Sequence, residues 1–225
     1  MTTMRRTIKQ FAALAAKTLP VEEPVFEFGA LQVPGQEGFA DIRPLFAGKE
    51  YVGADMREGP GVDVVLDLHS LDVQTGSVGT VLCLDTFEHV EHPREAINEI
   101  HRILKPAGVA IITSVMDFPI HDFPHDYWRF TPDGFKSLLQ PFHHSFVGYA
   151  GKPEFPHSVV GVGFKGPPPD LSSFIAAYEV WKKRQGRLWN LELVDVVKLL
   201  TPPILTPLLA RIYRSGRRVL PRSVQ

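Results

Sequence analysis

The chain is poor in cysteine, in long apolar runs and in acids near its start, and each shortage removes a class of protein. Cys83 is the one cysteine among 225 residues, so no intramolecular disulfide can form and no cysteine cluster suggests structural zinc. It lies in an apolar run, which makes it a small core residue first and a reactive thiol second. A low cysteine count also fits a reducing compartment, and a cytoplasmic protein is the expectation. No apolar stretch approaches the roughly 18 to 20 residues that a membrane-spanning helix needs. Met1 to Pro20 carries Arg5, Arg6, Lys9 and Lys17 and no acid. Lacking the apolar stretch of a secretory signal, it reads as an amphipathic helix, with a transit peptide as the other reading. The Gly-x-Gly-x-x-Gly fingerprint is missing after the first predicted strand, which argues against a nicotinamide dehydrogenase.

What is present is ordinary in bulk and uneven in distribution. A hydrophobic fraction of 44% and a charged fraction of 22% suit a folded domain with one substantial core. The net charge of −1 conceals a split: from Trp181 onward ten Lys or Arg face only Glu192 and Asp195, a local +8 that leaves −9 for the rest. An acidic body with a basic tail follows.

Helical spacing of Ile8, Phe11, Leu14 and Ala15 predicts a helix over 3–18, which Pro20 ends. Short apolar runs predict strands at 24–28, 50–54, 63–67, 79–84 and 109–114, with two more at 144–149 and 157–164. A loop over 31–38 and a short helix over 39–46 fall between the first two. Pro93 to Leu104 has helical periodicity, and Lys105-Pro106-Ala107-Gly108 reads as its stop. Thr131-Pro132-Asp133 reads as a helix cap with proline at the first position. Gly166-Pro167-Pro168-Pro169 marks a boundary, followed by helical segments at about 171–185, 188–200 and 204–219. Strands alternating with helices predict an α/β, doubly wound, mostly parallel seven-stranded sheet with appended C-terminal helices. The expected organisation is an N-terminal helix (1–20), a central ligand-binding domain (21–165) and a basic helical extension (166–225).

Four of the predicted strands close on carboxylates. Glu27 and Gly29 end the first, Asp55 the second, Asp67 the third and Asp85 the fourth. In an open α/β sheet, ligands bind in the crevice beyond the carboxyl ends of the strands. A row of acceptors there suits a ligand rich in hydroxyl and amino donors, and a nucleoside-bearing cofactor fits that description.

Leu84-Asp85-Thr86-Phe87-Glu88-His89-Val90, then Leu104-Lys105-Pro106-Ala107-Gly108 and Trp128-Arg129-Phe130-Thr131-Pro132, occur in an order and spacing that resemble the class I S-adenosylmethionine-dependent methyltransferases. The likeness is to the small bacterial branch with a Glu-His-Val signature after strand four, and it covers residues 22 to 165. It implies S-adenosylmethionine as cofactor. It places Glu27 and Gly29 at the turn beside the methionine portion, Asp55 at the ribose, Asp67 and Leu68 at the adenine, and Asp85 and Thr86 at the amino acid portion, and it counts Met56 among the cofactor-binding residues. The family's Gly-x-Gly-x-Gly loop is altered here to Gly29-Ala30-Leu31-Gln32-Val33. Either the loop takes another shape, with Gln32 contacting the ligand, or cofactor affinity is reduced.

The segment Asp117 to Arg129, dense in histidine, aspartate and aromatics, should overlie the same crevice. His121, His125 and His89 are candidate general bases for an oxygen nucleophile. Asp122, Tyr127 and Arg129 are candidate acceptor-binding residues; for Arg129, pairing with a local Asp is the other reading. Imidazole beside carboxylate also resembles metal-ligand material, but neighbours in a proline-rich loop need not converge, and no metal is assigned. A structural lid whose polar groups satisfy one another is the third reading. The basic tail fits an amphipathic helix on an anionic membrane surface, a docking segment for a partner, or a solvated appendage. Nucleic acid is disfavoured, because aromatic stacking motifs are missing. So is base methylation, because Asn/Asp-Pro-Pro-Tyr does not follow strand four. The expected activity is methyl transfer to a small-molecule or glycan-type acceptor at oxygen; the alternative is an inactive cofactor-binding homologue that docks a partner or membrane.

Overall fold

The computed structural model of the chain describes residues 6–33, 35, 38–121 and 125–189. Seven strands form one sheet: β1 (Val25–Phe28), β2 (Tyr51–Asp55), β3 (Val64–Val65), β4 (Val78–Leu84), β5 (Leu104–Val115), β6 (His144–Lys152) and β7 (Phe155–Phe164). Their order is β3-β2-β1-β4-β5-β7-β6. The first five run parallel, while β7 is antiparallel to both β5 and β6. The doubly wound, mostly parallel architecture expected from the alternation of strands and helices is thus present, with an antiparallel edge. β4 is buried at all seven positions because both its faces are covered, Val81 and Cys83 in one apolar layer and Leu82 and Leu84 in the other, which explains why its sequence is apolar without alternation.

Two apolar layers cover the sheet. On one face, α2 (Pro93–Ile103) buries Ala96, Ile97, Ile100 and Ile103, and α3 (Pro132–Leu138) buries Phe135 and Leu138. The cap read from Thr131 is present: its Oγ1 accepts from Gly134 N at 3.0 Å, with Pro132 in the first turn. On the other face, α1 (Arg6–Thr18) and α4 (Ser172–Trp189) pack together. Phe11 stacks at 5.2 Å on Trp181, and Trp181 Nε1 donates to Thr7 O at 3.3 Å. Each large side chain buried this way contributes about 1.5–3 kcal/mol. Residues Met1–Gln185 form one compact unit, so α1 and the start of α4 share a core with the sheet; a second unit begins at Gly186. The helical segments predicted at 188–200 and 204–219, and with them the reading of the basic tail, lie outside the described residues but for the last turn of α4 at 188–189. No described helix is long and apolar enough to cross a membrane.

Two local expectations change. Lys105-Pro106-Ala107-Gly108 does follow the end of the helix, α2 stopping at Ile103, but the strand expected from Val109 already begins at Leu104, and the chain enters it directly through an irregularity opposite Val78–Thr80. The third strand is only two residues long, so Asp67 sits beyond its end, in a turn closed by an Asp67–Ser70 bridge.

Candidate active site

The ends of β1, β2 and β4 meet around one cleft of about 450 Å³. The connection after β1 turns at Gly29, whose φ of +85° lies in the left-handed region. A Cβ there would overlap Thr86 Oγ1, and that hydroxyl is fixed because it donates to Phe28 O at 3.1 Å. Gly29 is therefore required twice, by its backbone angle and by the closeness of β4. Asp85, at the end of β4, also takes a positive φ, 51°, a conformation that aspartate tolerates better than most residues. Thr113 on β5 holds it: Asp85 N donates to Thr113 Oγ1 at 2.9 Å, and that hydroxyl donates to Asp85 Oδ1 at 3.0 Å.

Asp55, 8% exposed, is organised by the backbone on both sides. Its Oδ1 accepts from Arg57 N at 3.0 Å and its Oδ2 from Leu31 N at 3.4 Å. The carboxylate thereby ties the β1 loop to the end of β2. Asp67 Oδ1 accepts from His69 N at 2.9 Å and lies 2.7 Å from His69 Nδ1. The His69 backbone N–H, against a smaller opposing effect of burial, holds this carboxyl below its ordinary range.

Glu27 behaves differently. Burial raises its pKa to about 7, only partly offset by the hydrogen bond that Tyr51 Oη donates to Oε2 at 2.6 Å. The folded chain thus holds this proton more tightly than the unfolded chain. The stabilising contribution is complete below the unfolded value near 4.5 and is lost as pH rises through 7. Between pH 5 and 8 the wild-type protein is expected to lose stability that Glu27→Gln retains, on the order of 3 kcal/mol at the alkaline limit. Thermal melts of both proteins across that range check this, and parallel pH profiles would reject it.

At the other end of the cleft the segment after β5 folds back over β4. Tyr127 N and Trp128 N donate to Glu88 O at 2.8 and 3.2 Å, and Trp128 Nε1 donates to Val90 O at 2.9 Å. Glu88 is fully buried, and its Oε2 accepts from Ser114 Oγ at 2.7 Å. His89 Nδ1 lies 2.5 Å from His125 O; a carbonyl only accepts, so Nδ1 carries the hydrogen and Nε2 is the ring's remaining acceptor. Burial holds His89 below its ordinary pKa, favouring this neutral form. His121 Nδ1 lies 3.1 Å from both Pro119 O and Asp126 Oδ2, which fixes the same tautomer. Asp126 is clamped by Arg129 through Nη1 at 2.5 Å and Nη2 at 2.7 Å. Burial would raise the Asp126 pKa, but Arg129 and the His121 backbone N–H outweigh it and hold the carboxyl at about 2.

Of the residues singled out from sequence, Glu27, Gly29, Asp55, Met56, Asp67, Leu68, Asp85 and Thr86 line the cleft, as do His89, His121, His125 and Tyr127. Gln32 does not. Its Oε1 accepts from Gly38 N at 3.2 Å and its side chain lies over Gly61, so it braces the loop instead of facing a ligand. Arg129 is likewise a strut: its guanidinium is spent on Asp126 and on the carbonyls of Phe118 and Pro119. Asp122 lies outside the described residues. Glu88 belongs to the Glu-His-Val signature, but its burial in the wall of the cleft is visible only in three dimensions.

Residues 46–112 match the family model of a methyltransferase domain. No curated protein sequence matches the chain significantly. Among solved structures, the chain resembles a Haloferax volcanii complex of the Trm112 methyltransferase activator with a methyltransferase (TM-score 0.52, 17% identity, 70% of this chain and 90% of that one). It also resembles an S-adenosylmethionine-dependent methyltransferase of Thermotoga maritima (TM-score 0.51, 21% identity, 70% and 91%). A third, from Archaeoglobus fulgidus, has TM-score 0.51 at 13% identity over 70% and 94%. The chain has the class I methyltransferase fold. In this methyltransferase fold the altered β1 loop is accommodated by glycines elsewhere. A Cβ on Gly59 would overlap Leu31 Cδ1, and one on Gly61 would crowd Gln32 Cγ at 3.1 Å, so the β2–β3 connection makes room for side chains that the usual glycines would lack.

Proposed function

We propose that the protein transfers a methyl group from S-adenosylmethionine to an oxygen of a small-molecule or glycan-type acceptor. The observation that carries this reading is the polarity of one cleft: carboxylates at the ends of β1, β2 and β4 along one side, and two imidazoles with fixed Nδ1 hydrogens at the other. The residues fit the cofactor. A cleft of about 450 Å³ is of ligand size. Asp55 offers acceptors to a ribose diol, the exposed Met56 and buried Leu68 offer apolar surface to a purine, and the Gly29 turn lets backbone lie close to the ligand. When bound, the cofactor supplies an electrophilic methyl group on a sulfonium. The chain's part is alignment of the acceptor with it, which supplies much of the rate enhancement in such a displacement. The acceptor is placed beside Glu88, His89 and His121, with Tyr127 at the same end, and there its oxygen is made nucleophilic.

Calorimetry on the purified full-length protein should show micromolar binding of S-adenosylmethionine and S-adenosylhomocysteine and none of NAD. A radiolabelled methyl group should then pass to hydroxyl-bearing acceptors in a mixed panel. Absence of binding by both sulfur nucleosides would turn the reading towards a cofactor-free docking module. Label found only on amines would remove oxygen as the target.

A further inference from the structure

We propose that Glu88, His89 and His121 form a binding site for a divalent transition-type cation at the acceptor end of the cleft. One donor atom of each of these side chains lies within 4.8 Å of a donor atom of each of the others, a spacing compatible with a shared ion, and this is the one such group among the described residues. All three line the cleft.

The surroundings of the three donors are those that metal ligands need. A ligating histidine typically donates its second ring N–H to a carbonyl or carboxylate, which fixes the tautomer and raises the basicity of the other nitrogen. Both rings do so: His89 through His125 O at 2.5 Å, and His121 towards Asp126 Oδ2 and Pro119 O at 3.1 Å. The Nε2 atoms are left to bind. The carboxylate has the same kind of support, since Ser114 Oγ holds Glu88 Oε2 at 2.7 Å. Arg129 is paired with Asp126, so the carboxylate behind His121 is itself held in place. The two rings stand edge to face at 4.7 Å, and Phe118 also packs edge to face against His121 at 5.1 Å. They are held in place rather than free to turn away.

The donor set selects the ion. Two imidazoles and one carboxylate suit zinc and its first-row neighbours, whereas magnesium prefers oxygen ligands alone. Three protein ligands leave at least one position open on the cleft side, the arrangement of catalytic rather than structural sites. The site itself is independent of the methyl-transfer reading, but its role rests on it. An acceptor hydroxyl taken into the open position has its pKa lowered and gives its proton to solvent. Its oxygen then forms the new O–CH3 bond as the S–CH3 bond breaks, and sulfur leaves with the electron pair as a neutral thioether. With the cation bound, the two imidazoles serve as ligands and not as bases.

The full-length protein, stripped with a chelator and dialysed, is titrated with Zn²⁺ and separately with Mg²⁺. Binding of one Zn²⁺ per chain is expected, no Mg²⁺ binding, and a Co²⁺-substituted form with visible d–d absorption. His121→Ala should weaken Zn²⁺ binding at least about 100-fold, and Asp126→Asn, which reaches the ion through His121 and not as a ligand, about 10- to 100-fold. Because other histidines bind zinc at surfaces, the double variant His69→Ala/His92→Ala serves as the control and should leave the stoichiometry unchanged. Zinc binding that survives both His121→Ala and His89→Ala, or no stoichiometric binding at all, overturns the site. If methyl transfer proceeds at its full rate in the chelated protein, the role falls while the methyltransferase reading stands. If zinc binds but S-adenosylmethionine does not, the site stands and that reading fails.

Discussion

Replacing Gly29 by alanine is expected to lower the free energy of unfolding by about 2–5 kcal/mol, a large part of the total for a domain of this kind. Two separable costs combine. An L-residue at φ +85° costs roughly 1–2 kcal/mol by itself. The added methyl would also overlap Thr86 Oγ1, and overpacking a well-filled contact typically costs about 1–3 kcal/mol. Thr86 cannot easily yield, because its hydroxyl is tied to Phe28 O at 3.1 Å and lies 3.3 Å from Leu84 O. A double-mutant cycle separates the costs. Thr86→Ala alone loses about 1 kcal/mol of hydrogen bonding. In that background only Cβ, 3.3 Å from the new methyl, remains in the way, so Gly29→Ala should then cost little more than its backbone penalty. Urea unfolding of the four proteins measures this. Equal losses for Gly29→Ala in both backgrounds would show that contact with Thr86 is not what the glycine serves.

The same pair of residues shows what a linear sequence can and cannot reveal. Gly29 was legible because it follows an apolar run that ends in Glu27, and such a run closing on a carboxylate and glycine has few other uses. That Thr86 is the residue pressed against it was not legible, since 57 positions separate them and only the parallel pairing of β1 with β4 brings them together. All seven strands were visible as apolar runs, because β4 and β5 are buried on both faces and need no alternation. The Lys105–Gly108 stretch stopped the helix as read, but proline and glycine hid the early start of β5, which an irregular pairing opposite Val78 allows. Gln32 misled, and Arg129 took the pairing with a local Asp in place of an acceptor, for a shared reason. A polar side chain close to a site in sequence is as often used to hold a loop as to face a ligand, and their hydrogen bonds to Gly38 and Asp126 decide the matter only in three dimensions. The histidine segment was recognised as chemistry without a geometry. Only the fold-back onto β4 joins His121 to Glu88 and His89.

Asp55→Ala is expected to weaken binding of S-adenosylmethionine and S-adenosylhomocysteine alike, by about 1.5–3 kcal/mol, or roughly 10- to 150-fold. The equality follows from the position: Asp55 is proposed to meet the ribose, which both nucleosides share, and not the sulfonium that distinguishes them. The structure adds a complication, since the same carboxylate accepts from Arg57 N at 3.0 Å and from Leu31 N at 3.4 Å. Alanine therefore also loosens the β1 loop, and weaker binding alone would not separate loop order from ribose contact. A 2′-deoxy analogue of S-adenosylhomocysteine does. If Asp55 accepts from the ribose hydroxyls, the wild-type protein should bind the analogue about tenfold or more weakly than the parent, and Asp55→Ala should bind the two nearly equally. A loop effect alone would weaken both ligands by the same factor and leave the preference for the 2′-hydroxyl intact. Asp55→Asn provides the intermediate case: it keeps one acceptor for the backbone but loses the charge and the second acceptor, so its binding should fall between those of wild type and Asp55→Ala. Unchanged affinity in Asp55→Ala would take the residue out of the cofactor site and move the nucleoside elsewhere along the cleft.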